Sequence, residues 1–330
     1  MGLDLDIGVG LSGRDVKGWD ERMRPVPKGA QIVDLRTALA DRRPYAVVVA
    51  HTLTDLLEVK SLNVPKLLVL HGTIEGRSVE QNSPVGPQQM RAVAAQYLNL
   101  TGAHAVAISE LKRASWALTG DVLRPGLNTS DYPLASLERA CGVRVVNHMN
   151  RRRQILRADL HEEAFGGLPL ELIGINDDIP GVTPSADWAD LKTRLARSRF
   201  YVHTADERFE DGYNLASLEA MACGLPILGN LHPSSPIIDG VHGYLSNDPM
   251  ILRRHAESLL NDIELARELG RAARARVESL FSHSSFKVNL RACLARAIEV
   301  HQGQCPALSE VKGPRGLDGG SRTLSSKPCA

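Results

Sequence analysis

The sequence predicts an α/β protein of two consecutive domains, each built around a parallel sheet. Short runs rich in Val, Ile and Leu alternate with helical patterns, and this alternation occurs twice along the 330 residues. Runs of this kind are typical of strands buried on both faces of a parallel sheet. Because a domain usually takes about 100–200 residues, the length favours two domains over one. Hydrophobic residues make up 43% of the chain, which is enough for two cores.

The first series of elements ends at a join near residues 130–139. The strand-like runs of this half are residues 30–35, 45–51, 66–71 and 103–108. A helical pattern at residues 86–98 has small and apolar side chains at three- and four-residue spacing. We therefore predict a first domain over residues 1–136.

The second series begins near Val143 and repeats the alternation of strand and helix. Its strand-like runs are residues 143–148, 170–175, 200–203 and 226–228. Its helical patterns are residues 151–165, 188–198, 215–223 and 249–261. We predict a second domain over residues 137–300. Residues 303–330 are rich in Gly, Ser, Pro and Lys without apolar periodicity, so we expect a disordered tail there.

The composition excludes several classes of protein. The 39 Lys+Arg balance 38 Asp+Glu, whereas a dedicated nucleic-acid binder usually carries a strong basic excess. The longest apolar runs are far shorter than the roughly 20 residues of a membrane span, and the first residues lack the pattern of a signal peptide. The five Cys are scattered without a CxxC pair, which indicates neither a zinc site nor a disulfide framework. We expect a cytoplasmic protein without a nucleic-acid partner.

Residues 210–229, EDGYNLASLEAMACGLPILG, are the most informative stretch. Asn214 can cap a helix that begins at Leu215. Within this almost wholly apolar helix, Glu219 has no Lys or Arg three or four residues away, and a buried carboxylate without a partner costs several kcal/mol. We therefore expect a partner from outside the helix, for which the hydroxyls of a sugar are suitable donors.

A second carboxylate, Asp211, lies eight residues before Glu219 in the loop that leads into the helix. The N-terminus of that helix offers free N–H groups and a partial positive charge, which suit a phosphate. A diphosphate flanked by two polyhydroxylated rings, as in a nucleotide sugar, would satisfy all three features. From spacing alone, a Glu bonded to backbone or water beside an exposed loop Asp stays an equal alternative.

The same stretch resembles the E-x7-E region of retaining GT-B glycosyltransferases of family four, the glycosyl transferases group 1. Residues 224–228 and 235–245 resemble that family's following loop and its DG-x-x-G-x-L segment, and residues 259–282 resemble its C-terminal helical region. The resemblance implies two Rossmann-like domains that face each other across a cleft, with an abbreviated N-terminal domain on the acceptor side. It also implies retention of configuration and chemistry without a metal or a cofactor.

The resemblance implies a set of donor-binding residues in the second half. Glu219 would bind the nucleotide ribose. In the basic loop at residues 145–154, His148 falls where the family has an Arg and Arg153 where it has a Lys, and both would hold the diphosphate. Arg151 or Arg152 is an alternative to His148, and a solvated helix start is the alternative for the whole Arg run. The remaining donor-binding residues that we predict are Gly212, Tyr213, Asn214 and Leu215.

His71 and Asp211 are the predicted catalytic residues, which would position the transferred sugar. His71-Gly72-Thr73 follows a strand and resembles the HG segment of the family, although a His that closes a strand by bonding nearby backbone is the alternative. At the first acidic position Asp211 stands where the family has Glu, which shortens its reach by one methylene group. Residues 107–112 and 122–128 resemble the family's SE…PNGVD run.

The first residues depart from the family pattern. Residues 8–13 match G-x-G-x-x-G, for which a plain turn, a glycine loop at the cleft and a nicotinamide site with Asp34 are the open interpretations. Asp4 and Asp6 match a DxD pair, which we interpret as chance. About 136 residues are few for an acceptor domain of this family, so we expect either an abbreviated domain or a start upstream of Met1.

These observations predict a hexosyltransferase that moves a sugar from a UDP-, GDP- or ADP-linked donor to a glycan, lipid or small-molecule acceptor. A non-catalytic relative that binds a nucleotide sugar or a glycan is one alternative. A sugar epimerase or a phosphorylase on the same fold is another. Peripheral contact with the inner membrane face stays open, although the chain has no strong basic amphipathic helix.

Overall fold

A computed structural model describes residues 5–9, 18–41 and 43–303. Three predictions fall wholly or partly outside these residues. They are the disordered tail, apart from Gly303; most of the G-x-G-x-x-G run; and Asp4 of the DxD pair. In the part of the chain that the structure describes, no helix is long and apolar enough to cross a membrane.

The first half contains two separate parallel sheets. One pairs β1 (Leu5–Val9) with β2 (Ala30–Asp34), and the other has the strand order β3-β4-β5. All five residues of β4 are buried, since α2 (Leu53–Glu58) and α12 (His283–His301) pack against this strand. The remaining elements are α1 (Leu35–Ala40), β3 (Val48–Ala50), α2 (Leu53–Glu58), β4 (Lys66–Leu70), α3 (Ile74–Glu80), α4 (Pro87–Thr101), β5 (Ala103–Ala107) and α5 (Glu110–Ser115).

The second half forms one five-stranded parallel sheet in the order β10-β9-β8-β6-β7. Its strands are β6 (Gly142–Val145), β7 (Leu170–Ile173), β8 (Phe200–His203), β9 (Ile227–Gly229) and β10 (Gly243–Leu245). Its helices are α6 (Arg153–Leu156), α7 (Ala158–Phe165), α8 (Trp188–Arg197), α9 (Leu215–Cys223), α10 (Pro249–Asn261), α11 (Ile263–Leu280) and α12 (His283–His301). The α/β architecture with parallel sheets in both halves confirms the predicted fold class.

The strand order of the second sheet marks where a ligand would bind. From β6 the chain runs to β7 on one side and to β8, β9 and β10 on the other. In open parallel sheets, ligands bind outside the carboxyl ends of the strands at the point where the order reverses. Here that point lies between the loop after β6 and the loop after β8.

The structure differs from the sequence prediction in a few elements. The helix predicted over residues 151–165 is two helices, because Arg157 between them has a positive φ of 46°. The strand predicted at residues 45–51 has only three residues, Val48–Ala50, and β10 had no counterpart in the prediction. By contrast, α9 and α10 begin and end at the predicted residues. Asn214 caps α9 as predicted, and Asp248 caps α10.

The last helix crosses back to the first half. Cys293 and Ala297 of α12 share a buried cluster with Leu67 of β4 and Val106 of β5. This packing ties α12 to the first half of the chain and covers one face of the three-stranded sheet. The division at residues 136 and 137 stays a prediction, but α12 packs on the sheet that precedes it.

Close packing of α11 against α9 depends on a glycine. A Cβ added at Gly270 would overlap the carbonyl oxygen of Gly224, the C-cap of α9. Replacing a helical Gly by Ala usually stabilises a helix by about 1 kcal/mol. We expect Gly270→Ala to lower the free energy of unfolding instead, by about 1–3 kcal/mol, because of overpacking. Urea denaturation measures this, and Gly86→Ala, where a Cβ meets nothing, is the control.

Candidate functional site

The loop after β8 carries Glu210 and Asp211 to the switch point of the second sheet. Two histidines hold its main chain: His203 Nε2 bonds to the carbonyl of Asp211 (3.1 Å), and His232 Nε2 bonds to the carbonyl of Glu210 (3.0 Å). Burial lowers the pKa of His203 to about 4, so this ring is neutral and its proton sits on the Nε2 that faces the carbonyl. Gly212 is required next to His232, because an added Cβ would lie 2.8 Å from that ring.

Lys112 of α5 reaches this loop from the first half of the chain. Its ammonium lies 2.7 Å from Glu210 Oε1 and 2.7 Å from Asp211 Oδ2. Both Lys112 and Asp211 are buried, so the contact is a desolvated ion pair. Burial would lower the pKa of Lys112, but the two carboxylates outweigh it and raise that pKa. Asp211 Oδ1 is buried and has no hydrogen-bond partner among the described residues.

A second contact joins the two halves of the chain at Phe209, two residues before Asp211. The hydroxyl of Thr73, the N-cap of α3, donates to the carbonyl of Phe209 (2.5 Å). Gly76 allows this approach, since a Cβ there would overlap the same carbonyl. The turn that follows His71 therefore packs on the loop that holds Asp211, while the catalytic roles of both residues stay predictions.

His71 lies at the carboxyl end of β4, where its Nε2 is 2.8 Å from Nδ1 of His51. Although one side of His71 is exposed, partial burial and the nearby His51 and Lys112 lower its pKa to about 4. The contact of the His71 ring is thus with the side chain of His51, and not with the main chain at the end of the strand. As a neutral imidazole, it donates a hydrogen bond from one ring nitrogen and accepts one at the other.

The N-terminus of α9 has two main-chain donors to spare. Asn214 and Ser217 form a capping box in which each side chain accepts from the main-chain N–H of the other residue. Among the described residues, no acceptor bonds to the N–H of Leu215 or of Ala216. The ring of Tyr213, just before this helix, packs against Phe281 with ring centroids 5.2 Å apart. Such a helix N-terminus favours an anion.

Glu219 lies one turn into α9 and is buried, but it is not without partners. Its Oε1 accepts from Arg24 Nη2 (2.6 Å) and from the hydroxyl of Tyr132 (3.0 Å). Burial raises the pKa of Glu219, and Arg24 opposes that shift. The expectation of a partner outside the helix is right, but the partners belong to the chain itself. No sequence signal identifies Arg24, which lies 195 residues away.

The basic loop after β6 is arranged differently from the prediction. Arg153 bonds Asp159 and Glu162 of the following helix on a partly exposed surface. His148 is exposed and has a positive φ of 52°. Arg152 lies nearer the cleft, with Nε 3.2 Å from Glu80 and a guanidinium nitrogen 4.0 Å from Glu210. The diphosphate roles of His148 and Arg153 stay predictions, and Arg152, one of the two alternatives to His148, lies closer to the loop of Glu210.

Comparison with solved structures identifies the architecture. TarM of S. aureus, in a mutant complex with fondaparinux, alpha-GlcNAc-glycerol and UDP, matches with a TM-score of 0.60 and 14% identity over 79% of this chain. Sucrose-phosphate synthase of Thermosynechococcus elongatus matches with a TM-score of 0.59 and 17% identity, covering 79% of this chain and 76% of that one. Anabaena HepE with UDP and glucose gives 0.60 and 12%, covering 81% and 86%.

The chain has the GT-B fold. It spans 58% of the length of the TarM chain. No protein-family model matches this sequence, and a search of curated protein sequences found no match. In this chain the loop after β8 contacts the turn after β4 through Phe209 and Thr73, and Lys112 joins Asp211 in the same loop. In the described ranges, no group of three or more His, Cys, Asp or Glu side chains could hold a metal ion.

The Lys112 ion pair should be essential for stability. Lys112→Met leaves the buried carboxylate of Asp211 without its cation, and breaking a buried pair costs about 3–5 kcal/mol. We expect a decrease of that size in the free energy of unfolding, measured by urea denaturation. Arg153→Met is the control, because its partners are exposed to water, and it should leave stability nearly unchanged. Equal stability of the two variants would contradict this account.

His203 should make the protein sensitive to acid. Its folded pKa of about 4 lies below the unfolded value near 6.5, so the unfolded chain takes up a proton first. The contribution of His203 is therefore complete at pH 7 and is lost between pH 6.5 and 4, amounting to about 3 kcal/mol. In His203→Gln, whose amide can still donate to Asp211, the pH dependence of unfolding should be flatter by that amount. Identical pH profiles would refute the assignment.

Proposed function

We propose that this protein is a glycosyltransferase that moves a sugar from a nucleoside diphosphate donor to an acceptor hydroxyl, with retention and without a metal ion. The observation that carries the proposal is the unit formed by the loop after β8 and α9. This unit carries Asp211, then two N–H groups to which no described acceptor bonds, and then Glu219, in that order along the chain at the switch point of a GT-B fold. Those groups match a sugar, a diphosphate and a ribose in that order.

The proposed roles follow from the chemistry of each group. The N–H groups of Leu215 and Ala216 would take the diphosphate and stabilise the negative charge that develops as it leaves. Glu219 would accept hydrogen bonds from the ribose hydroxyls. Asp211 Oδ1, which has no hydrogen-bond partner in the described part of the chain, would accept a hydrogen bond from a hydroxyl of the transferred sugar. Neutral His71 would position that sugar from the opposite side of the cleft.

The reaction exchanges one bond at the anomeric carbon for another. The bond to the diphosphate oxygen breaks, and the leaving group takes the electron pair, which leaves an oxocarbenium-like sugar. The acceptor oxygen attacks from the same face, and its proton passes to the departing diphosphate. Exclusion of water from the cleft prevents hydrolysis of the donor. The Lys112 contact across the cleft supports this exclusion, since it holds the two halves together over Asp211.

Several finer points belong to the proposal. TarM, HepE and sucrose-phosphate synthase are similar in fold, and structures of the first two contain UDP. They support a nucleotide sugar as the donor and a glycan among the partners. Within the proposal, the donor is a UDP-, GDP- or ADP-linked hexose, and the acceptor is a glycan, a lipid or a small molecule. Reaction at the cytoplasmic face, with or without peripheral membrane contact, completes the proposal.

Nucleotide binding tests the donor site. We expect wild-type protein to bind one of UDP, GDP and ADP in isothermal titration calorimetry. Glu219→Ala should weaken that binding at least tenfold, because a charge-assisted hydrogen bond contributes about 1.5–3 kcal/mol. Glu207→Ala, an exposed carboxylate of the same loop, is the control and should bind as wild type does. Equal affinities in all three proteins would rule out Glu219 as a nucleotide ligand.

In the same calorimetry experiment, substitution of Arg152 and substitution of Arg153 should affect nucleotide binding differently. Arg152 faces the cleft, whereas Arg153 is engaged by Asp159 and Glu162. We expect Arg152→Ala to weaken binding of the nucleoside diphosphate about tenfold, and Arg153→Ala to change it by less than about threefold. A larger loss in Arg153→Ala would restore the role that the family resemblance implies for Arg153.

A non-catalytic nucleotide-sugar binder is the second candidate function. It is favoured by the two cations of the chain itself, Lys112 and Arg24, which occupy both acidic positions of the motif. This candidate predicts nucleotide binding without transfer or hydrolysis of UDP-, GDP- or ADP-linked hexoses. Release of nucleoside diphosphate from any of these donors, abolished by Glu219→Ala, would exclude it.

A further inference from the structure

Residues 19–24, called here the N-terminal segment, lie on the second half of the chain beside Glu219. The segment is a turn without regular secondary structure, closed by main-chain bonds from Met23 and Arg24 to the carbonyl of Asp20. The indole N–H of Trp19 donates to the carbonyl of Arg24 (2.6 Å) and fixes the end of the turn. These bonds hold residues 19–24 together as one compact turn.

Three residues of the segment attach it to the second half. Arg24 donates to Glu219 Oε1 at 2.6 Å, and its guanidinium carbon lies 5.1 Å from the ring centroid of Trp188. The carbonyl of Arg22 accepts from the main-chain N–H of Trp188 at 2.9 Å. Met23 Sδ lies 4.0 Å from the hydroxyl of Ser185. The contacts thus cover a carboxylate, a main-chain donor and an aromatic face.

These three groups are also what a nucleoside needs from a protein. Ribose hydroxyls donate to a carboxylate, a base carbonyl accepts from a main-chain N–H, and a planar base packs on an aromatic ring. The segment offers a guanidinium N–H, a peptide carbonyl and a planar guanidinium at the same places. It therefore has the hydrogen-bonding pattern of a nucleoside, although it is part of the chain.

We propose that the N-terminal segment is an internal occupant of the nucleoside subsite and that the donor must displace it to bind. The inference rests on the proposed function, in which Glu219 is the ribose ligand. The apparent dissociation constant is then the intrinsic one divided by the fraction of molecules in which the segment has left. Arg24 thus sets the affinity for the donor, and the segment closes the subsite again when the nucleotide product leaves.

The burial of the contacts is consistent with displacement. The side chain of Arg24 is 36% exposed, whereas that of Glu219 is 3% exposed, so the segment lies on the outer side of the pair. When Arg24 leaves, Glu219 keeps the hydroxyl of Tyr132 and gains those of the ribose. The Lys112 pair is different, with both side chains at most 5% exposed, and stays in place as part of the site.

A reversible disulfide tests the proposal without disturbing Arg24 or Glu219. In the double variant Met23→Cys with Ser185→Cys, oxidation should lock the segment in place, since these two side chains meet. We expect the oxidised protein to lose binding of UDP, GDP and ADP in calorimetry by at least about thirtyfold, and dithiothreitol to restore it. Met23→Cys alone, oxidised in the same way, is the control. Equal affinity of the locked and reduced proteins would overturn the proposal.

Removal of the guanidinium gives an independent second result. Arg24→Gln should bind the same nucleotide at least about tenfold more tightly than wild type, because the competing cation is gone. Arg22→Gln is the matched control, since its side chain is exposed and forms an ion pair with Asp20 inside the segment. Unchanged or weaker binding by Arg24→Gln overturns the proposal and leaves the proposed function standing. No binding by wild type, Arg24→Gln or the reduced double variant refutes the proposed function itself.

Discussion

The candidate site depends on the ion pair between the ammonium of Lys112 and the carboxylates of Glu210 and Asp211. Lys112 comes from the helix after β5, yet its two partners, Glu210 and Asp211, come from the loop after β8 in the other sheet. A buried charge is tolerated only when it is paired, so removal of either side leaves an uncompensated charge in the interior. The pair therefore holds the two sheets in one relative position and keeps the loop after β8 where a ligand at the switch point would meet it.

The neighbouring groups extend the same constraint. His203 and His232 hold the main chain of the acidic pair, and the capping box of Asn214 and Ser217 fixes the start of α9. Glu219 follows the same physical rule as Asp211, because it too is buried and takes a cation from the first half of the chain. The two pairs differ in exposure, and this difference separates a permanent support from a contact that a ligand can replace.

Much of the fold could be predicted because its signals are local. The strands at residues 66–71 and 103–108 are apolar runs between polar residues, and they lie within one residue of the observed β4 and β5. The predicted bounds of α9 match the observed ones. Asn214 before the helix is a local start signal, and Gly224 after it is a local stop signal. The break at Arg157 and the return of α12 to the first sheet have no such local signal.

The sequence by itself determined the alternation of strands and helices, the caps of α9, and the two carboxylates on one loop-helix unit. These depend on residues within a few positions of one another. Only the tertiary structure decided which cations those carboxylates receive: Lys112 lies 99 residues before Asp211, and Arg24 lies 195 residues before Glu219. The physical reason is that hydrophobic period and capping act along the chain, whereas the pairing of a buried charge is satisfied by whichever group the fold brings within about 3 Å.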